Sequence, residues 1–67
     1  MIKFSERLKE LRLEKGLSIM ALGKVIEVSD ATICRWENST NDIKGKELIR
    51  LAKFFNVTTD YLLGLED

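Results

Sequence analysis

The side chains with chemistry to offer lie together in SDATICRWEN, residues 29–38. On a helix turning about 100° per residue, Ile33 and Trp36 share one face and read as core. The opposite face carries Asp30, Ala31, Cys34 and Arg35, with Ser29 and Thr32 at its margins. If this helix lies in a DNA major groove with its amino end toward the bases, those are the residues within reach of base edges. Arg35 can bond both acceptors of a guanine at once, worth about 1–3 kcal/mol of discrimination; a phosphate or solvent is its other destination. Ala31 can meet a thymine methyl, and Thr32 can reach a phosphate or a base. Asp30 can accept from cytosine, yet it repels phosphate, and stabilising its own helix start accounts for it equally well. Cys34 reads as a small groove-facing residue rather than a redox switch.

Those residues need a scaffold, and the stretch from Leu17 to Asn38 supplies it. Ser18 and Ser29 are candidate caps of two short helices, each accepting a hydrogen bond from an amide of the first turn. Leu17 and Val28, just before the caps, fall opposite Leu22 and Ile33 one turn inside, a hydrophobic-staple arrangement. About three residues, Glu27 among them, separate the helices, so the two must cross. A crossing that close requires Gly23, which has almost no side chain, on the contacting face. The pattern is a helix-turn-helix over about residues 18–38, a motif whose second helix, here Ser29 to Glu37, commonly enters the major groove. Backbone anchoring is expected from the flanks. The amides near Ser18 and Ile19 are free to meet phosphate, and Asn38, Ser39, Thr40 and Lys44 can hold the other side of the groove. Lys44 and Lys46 read equally well as solvated lysines.

The remaining chain reads as helices that complete a core. Phe4, Leu8 and Leu11 form an amphipathic stripe ending near Gly16, with Leu13 off it. Glu6, Glu10 and Glu14 form a solvated acidic face. After a polar loop, STND at 39–42, Leu48, Leu51, Ala52 and Phe55 make a second stripe with Ile49 at its edge. Asn41 or Asp42 is the expected cap of that helix and Asn56 its end. Val57 and Thr58 repeat the staple and cap against Leu62 in a last short helix with Asp60 in its first turn, stopped by Gly64.

Sixty-seven residues make one domain, 1–67, whose 45% apolar content suffices for a small core. No apolar run is long enough to span a membrane and no leader precedes the first helix, so a cytoplasmic, reduced setting is expected. One cysteine and no histidine offer no disulfide and no zinc ligand set. Without a histidine, a phosphate-cradling glycine loop or a nucleophile–base pair, neither enzyme activity nor a cofactor is expected. Eleven basic residues balance eleven acidic ones, whereas DNA binders are usually basic. Phosphate attraction acts locally, so the distribution of charge matters more than its sum.

LRLEKGLS before the motif, VSDATICRWEN within it and LIRLAKFFNVTTDYLLGLED after it resemble the Cro and phage-repressor (XRE-type) helix-turn-helix family over nearly the whole chain. The resemblance implies an all-α, compact five-helix domain of the lambda-repressor-like DNA-binding type. It implies a sequence-specific transcriptional regulator, a repressor above all, that binds double-stranded DNA as a homodimer on a two-fold operator. It also implies that Arg12 pairs with Glu37, tying the first helix to the end of the third. Tyr61, Leu62 and Leu65 are the candidate self-association patch, with Leu62 the better core residue. Family members often continue into a second domain, so both a small complete regulator and a DNA-binding fragment are compatible with the chain. Three departures stand out. Ile19 replaces a phosphate-gripping glutamine, Glu27 replaces a turn glycine or asparagine, and Ile43–Lys44 replaces a proline and a capping serine. Ile19, Glu27, Asp30 and the neutral charge keep an alternative open: a protein-interaction module, such as an antitoxin or a regulator's partner, with weakened DNA binding.

Overall fold

A computed structural model describes residues 3–38 and 43–65. Five helices follow one another: α1 (Lys3–Glu14), α2 (Ile19–Ile26), α3 (Asp30–Asn38), α4 (Gly45–Phe55) and α5 (Thr59–Leu63). No strand occurs among the described residues. The all-α, five-helix expectation holds. The third helix runs one residue beyond the expected Glu37, with Ser29 outside it as the cap.

The apolar stripes converge as their spacing requires. Phe4 and Leu8 of α1, Leu22 and Ile26 of α2, Ile33 and Trp36 of α3, Leu51, Ala52 and Phe55 of α4, and Leu62 of α5 form one buried cluster. Leu11, Leu17, Ile19, Val28, Leu48 and Val57 pack around it. Trp36 sits edge-on to Phe4 with ring centroids 6.4 Å apart, and Ser5 Oγ donates to the Trp36 carbonyl at 3.0 Å. The indole is therefore structural, and α3 is held from behind by α1. Leu13 is exposed, as its off-stripe position suggests.

Three of the joints between helices are built alike. Gly16, Glu27 and Asn56 each adopt the left-handed conformation, with φ of 69°, 66° and 59°. The next residue, Leu17, Val28 or Val57, returns its amide to the carbonyl of Arg12, Gly23 or Ala52 at 2.9–3.1 Å. Each joint thus closes its helix with the C-terminal motif in which a left-handed residue turns the chain back. The same apolar residue then packs on the core, and the following Ser18, Ser29 or Thr58 caps the next helix by accepting from Ala21, Thr32 or Tyr61. One triplet therefore ends a helix, pins the turn and starts the next helix.

The α4 start differs from expectation. Lys44, not Asn41 or Asp42, occupies the cap position, with extended φ −90° and ψ 157°; residues 41 and 42 lie outside the described residues. A lysine ammonium has no acceptor to offer the α4 amides. Only the reciprocal half of a capping box is possible, in which the Glu47 carboxylate accepts from the Lys44 amide at 3.4 Å.

Gly23 is buried where α2 meets the turn. A Cβ there would stand 2.7 Å from the Val28 carbonyl oxygen. Gly23→Ala gains helix propensity of up to about 1 kcal/mol, yet it forces backbone apart in a packed joint, at a cost of about 1–3 kcal/mol. We expect net destabilisation and a melting temperature lowered by several degrees, as followed by circular dichroism. A rise would show that the crossing has room to spare.

Candidate nucleic-acid interface

The buried face of α3 is Ile33 and Trp36, with 0% and 1% exposure. Asp30, Ala31, Cys34 and Arg35 on its other side are all exposed, as is Ser29, while Thr32 is half-buried. No described segment covers that outward face. The structure thus brings all six proposed base-reading residues to about two turns of surface, although they are not equally available. Ser29 Oγ accepts from the Thr32 amide at 3.2 Å and lies 2.9 Å from Thr32 Oγ1. Both hydroxyls are engaged in starting the helix. Asp30 Oδ1 lies 3.6 Å from the position a Cβ on Gly23 would take, so this carboxylate leans toward α2. Ala31, Cys34 and Arg35 remain as the more outward set. Cys34 is a free thiol, 3.9 Å from Asn38 Nδ2, whose main contact is the Cys34 carbonyl at 2.8 Å.

At the start of α2, Ser18 Oγ accepts from Ala21 at 3.0 Å. The amides of Ile19 and Met20 have no acceptor among the described residues. They form a short row of donors at the positive end of a helix, suited to an anion. The Ile19 side chain packs toward the core, so only its backbone is available to a phosphate. Lys44 is exposed at the start of α4, and Asn38 is the last residue of α3 rather than part of the departing loop. Ser39 and Thr40 lie outside the described residues.

Arg12 and Glu37 meet as a bidentate pair. Arg12 Nε donates to Glu37 Oε2 at 2.7 Å and Nη2 to Oε1 at 3.1 Å, while Nη1 donates to the Leu17 carbonyl at 2.8 Å. Their side chains are 10% and 6% exposed. The hydrogen bond that Arg12 donates to Glu37 raises the Arg12 pKa above the ordinary guanidinium value, although burial acts to lower it. One side chain thus fixes the end of α3 and the residue that opens the motif.

Glu27 has φ 66° and ψ 44° at the turn, a conformation that costs a non-glycine residue about 1 kcal/mol. Arg50 of α4 donates from Nη1 to the Ile26 carbonyl at 3.1 Å, and the same nitrogen is 3.6 Å from Glu27 Oε1. Sequence reasoning missed Arg50. It lies 24 residues from Ile26 in a stretch read only for its apolar stripe, and no local signal joins the two. Glu27→Gly is expected to raise stability by about 1 kcal/mol, less a few tenths for the exposed pair. The midpoint of urea unfolding measures it. An unchanged or lower midpoint would mean that the left-handed glutamate is not strained.

The sequence pattern of the helix-turn-helix family matches residues 8–62 of the chain. Repressor protein C2 of Salmonella phage P22 is 36% identical over 58 residues, covering 87% of this chain and 27% of that protein. The HTH-type transcriptional activator BcrR of Enterococcus faecalis is 35% identical over 66 residues, covering 98% of this chain and 32% of that protein. The chain therefore spans about a third or less of the length of these relatives. Among solved structures, the crystal structure of the P22 c2 repressor in complex with synthetic operator 9T in the presence of Tl+ superposes with a TM-score of 0.86. It is 33% identical, with 94% of this chain and 96% of that chain covered. The solution structure of the P22 c2 repressor DNA-binding domain superposes with a TM-score of 0.80 at 35% identity, covering 90% and 79%. The joints, the crossing at Gly23 and these likenesses lead to one conclusion: the chain belongs to the helix-turn-helix family.

Proposed function

We propose that this domain is the DNA-binding part of a sequence-specific transcriptional regulator, acting as a repressor, which inserts α3 into the major groove of a two-fold operator. The observation that carries the reading is the exposed outward face of α3. It presents Arg35, Cys34 and Ala31 on a fold whose close structural counterpart was crystallised with operator DNA. Arg35 reads guanine, and Ala31 meets a thymine methyl. Ser29, Thr32 and Asp30 shape the helix start and contact the groove wall or a base edge. The amides at Ser18 and Ile19, with Asn38, Ser39, Thr40 and Lys44, hold phosphates on either side. The domain acts as a homodimer in the cytoplasm. Leu65 at 71% exposure and Leu63 at 37% supply apolar surface near its end, whereas Leu62 belongs to the core. Among the described residues no helix is long and apolar enough to cross a membrane, and no group of three or more potential metal-binding side chains occurs.

Selection from a random duplex pool tests the proposal. The expected product is a near-palindromic site with half-sites about 10 base pairs apart, bound with steep salt dependence. Enrichment of no sequence, with no duplex retained even at low salt, would overturn it and return the domain to a protein-interaction role.

A further inference from the structure

We propose that Arg50 is a positioning residue for DNA engagement, one that acts without touching DNA: it neutralises and holds the turn between α2 and α3. This rests on the DNA-binding reading above. From Leu17 to Asn38 the acids Glu27, Asp30 and Glu37 outnumber the bases Lys24 and Arg35, an unfavourable balance for a surface that must approach phosphates. Two of the three acids are answered from outside the motif. Glu37 is paired with Arg12 of α1, and Glu27 faces Arg50 of α4.

The two pairs differ in kind. The first is buried and bidentate. In the second, Arg50 and Glu27 are 44% and 76% exposed, at a separation of 3.6 Å, and such pairs contribute little to folding. The Arg50 guanidinium also meets the negative end of α2 through the Ile26 carbonyl at 3.1 Å. Its consequence therefore falls on whatever negative charge approaches the turn. Three peptide units separate Glu27 from Asp30, so their Cα atoms are at most about 11 Å apart. That span is close to the screening length of about 8–10 Å at ordinary salt. An unanswered Glu27 carboxylate would thus act on the phosphates that flank α3 in the groove. With Arg50 in place, Asp30 is the one acid of the motif with no basic partner among the ion pairs described.

The test is a titration of a short random-sequence duplex at low salt with wild type, R50M, R50K, E27Q and E27Q/R50M, each also melted by circular dichroism. R50M is expected to bind about 3- to 5-fold more weakly, a size set by one restored charge acting on a few screened phosphates. Its melting temperature should stay within a few degrees of wild type. R50K should retain wild-type affinity within about twofold, and E27Q/R50M, in which both charges are gone, should regain wild-type affinity within about twofold. A double variant that stays as weak as R50M would mean that Arg50 contacts DNA itself or acts through the fold, and would overturn the proposal. So would R50K falling as far as R50M. A wild-type chain that binds no duplex removes the DNA-binding reading and this one together, whereas failure of the Glu27 dependence alone removes only this one.

Discussion

Glu37→Ala should lose about 3–5 kcal/mol of stability, because it strands the buried Arg12 guanidinium without its carboxylate. A chain of 67 residues has only about 3–10 kcal/mol in total at the usual stability per residue. The variant should therefore be largely unfolded near physiological temperature, with Trp36 exposed and its fluorescence shifted. Glu37→Gln keeps one acceptor and should lose less, about 1.5–3 kcal/mol, the worth of a hydrogen bond to a charged group. The double variant Arg12→Met/Glu37→Leu buries no charge and should recover most of the loss. Alkali is not a route to the same result. The Arg12 pKa is raised in the folded state, so its contribution is complete below the ordinary guanidinium value and is lost only as pH climbs past it, above any working range. Urea titrations of the four proteins decide the matter. A Glu37→Ala variant within about 1 kcal/mol of wild type would reduce the pair to an ordinary surface contact.

That pair marks the boundary between what residue patterns convey and what they do not. The caps Ser18, Ser29 and Thr58, the stop at Asn56 and Gly64, and the core faces of all five helices are local features. Each is decided by residues within one or two turns, so spacing reveals them. Arg12 with Glu37 spans 25 residues and was expected only through resemblance to a family, since nothing in the spacing of one helix specifies a partner on another. Arg50 with Ile26 and Glu27 spans a similar distance with no such guide, and it went unread. The α4 start was misplaced for a different reason. A cap is sought as a side-chain acceptor, yet at Lys44 the position is taken by a residue that has none, with Glu47 reaching back from inside the helix. The outward face of α3 was legible as a surface, because the burial of Ile33 and Trp36 determines which residues point away. The engagement of the Ser29 and Thr32 hydroxyls in starting the helix emerged only with the geometry.

Arg35→Ala and Lys44→Ala should weaken DNA binding in different ways. Arg35 is exposed on the face of α3 opposite Trp36. A guanidinium there can satisfy two acceptors of one guanine, and removing it should forfeit about 1–3 kcal/mol of preference at one base pair per half-site, a factor of roughly 5 to 150. The loss should be confined to that position: sites altered there should bind the variant nearly as well as the preferred site, while the rest of the recognised pattern persists. Lys44 is exposed where α4 begins, and on the proposed reading it meets a phosphate, a contact that carries no sequence information. Its removal should weaken every duplex alike and lower the slope of log affinity against log salt by about one per bound subunit. The comparison needs both readouts on both variants, because a drop in affinity for one preferred site is common to the two. If Arg35→Ala leaves the selected sequence unchanged and lowers the salt slope as Lys44→Ala does, Arg35 is a phosphate contact. The base-reading assignment would then pass to Ala31, Cys34 and Asp30, with no guanidinium among them to favour guanine.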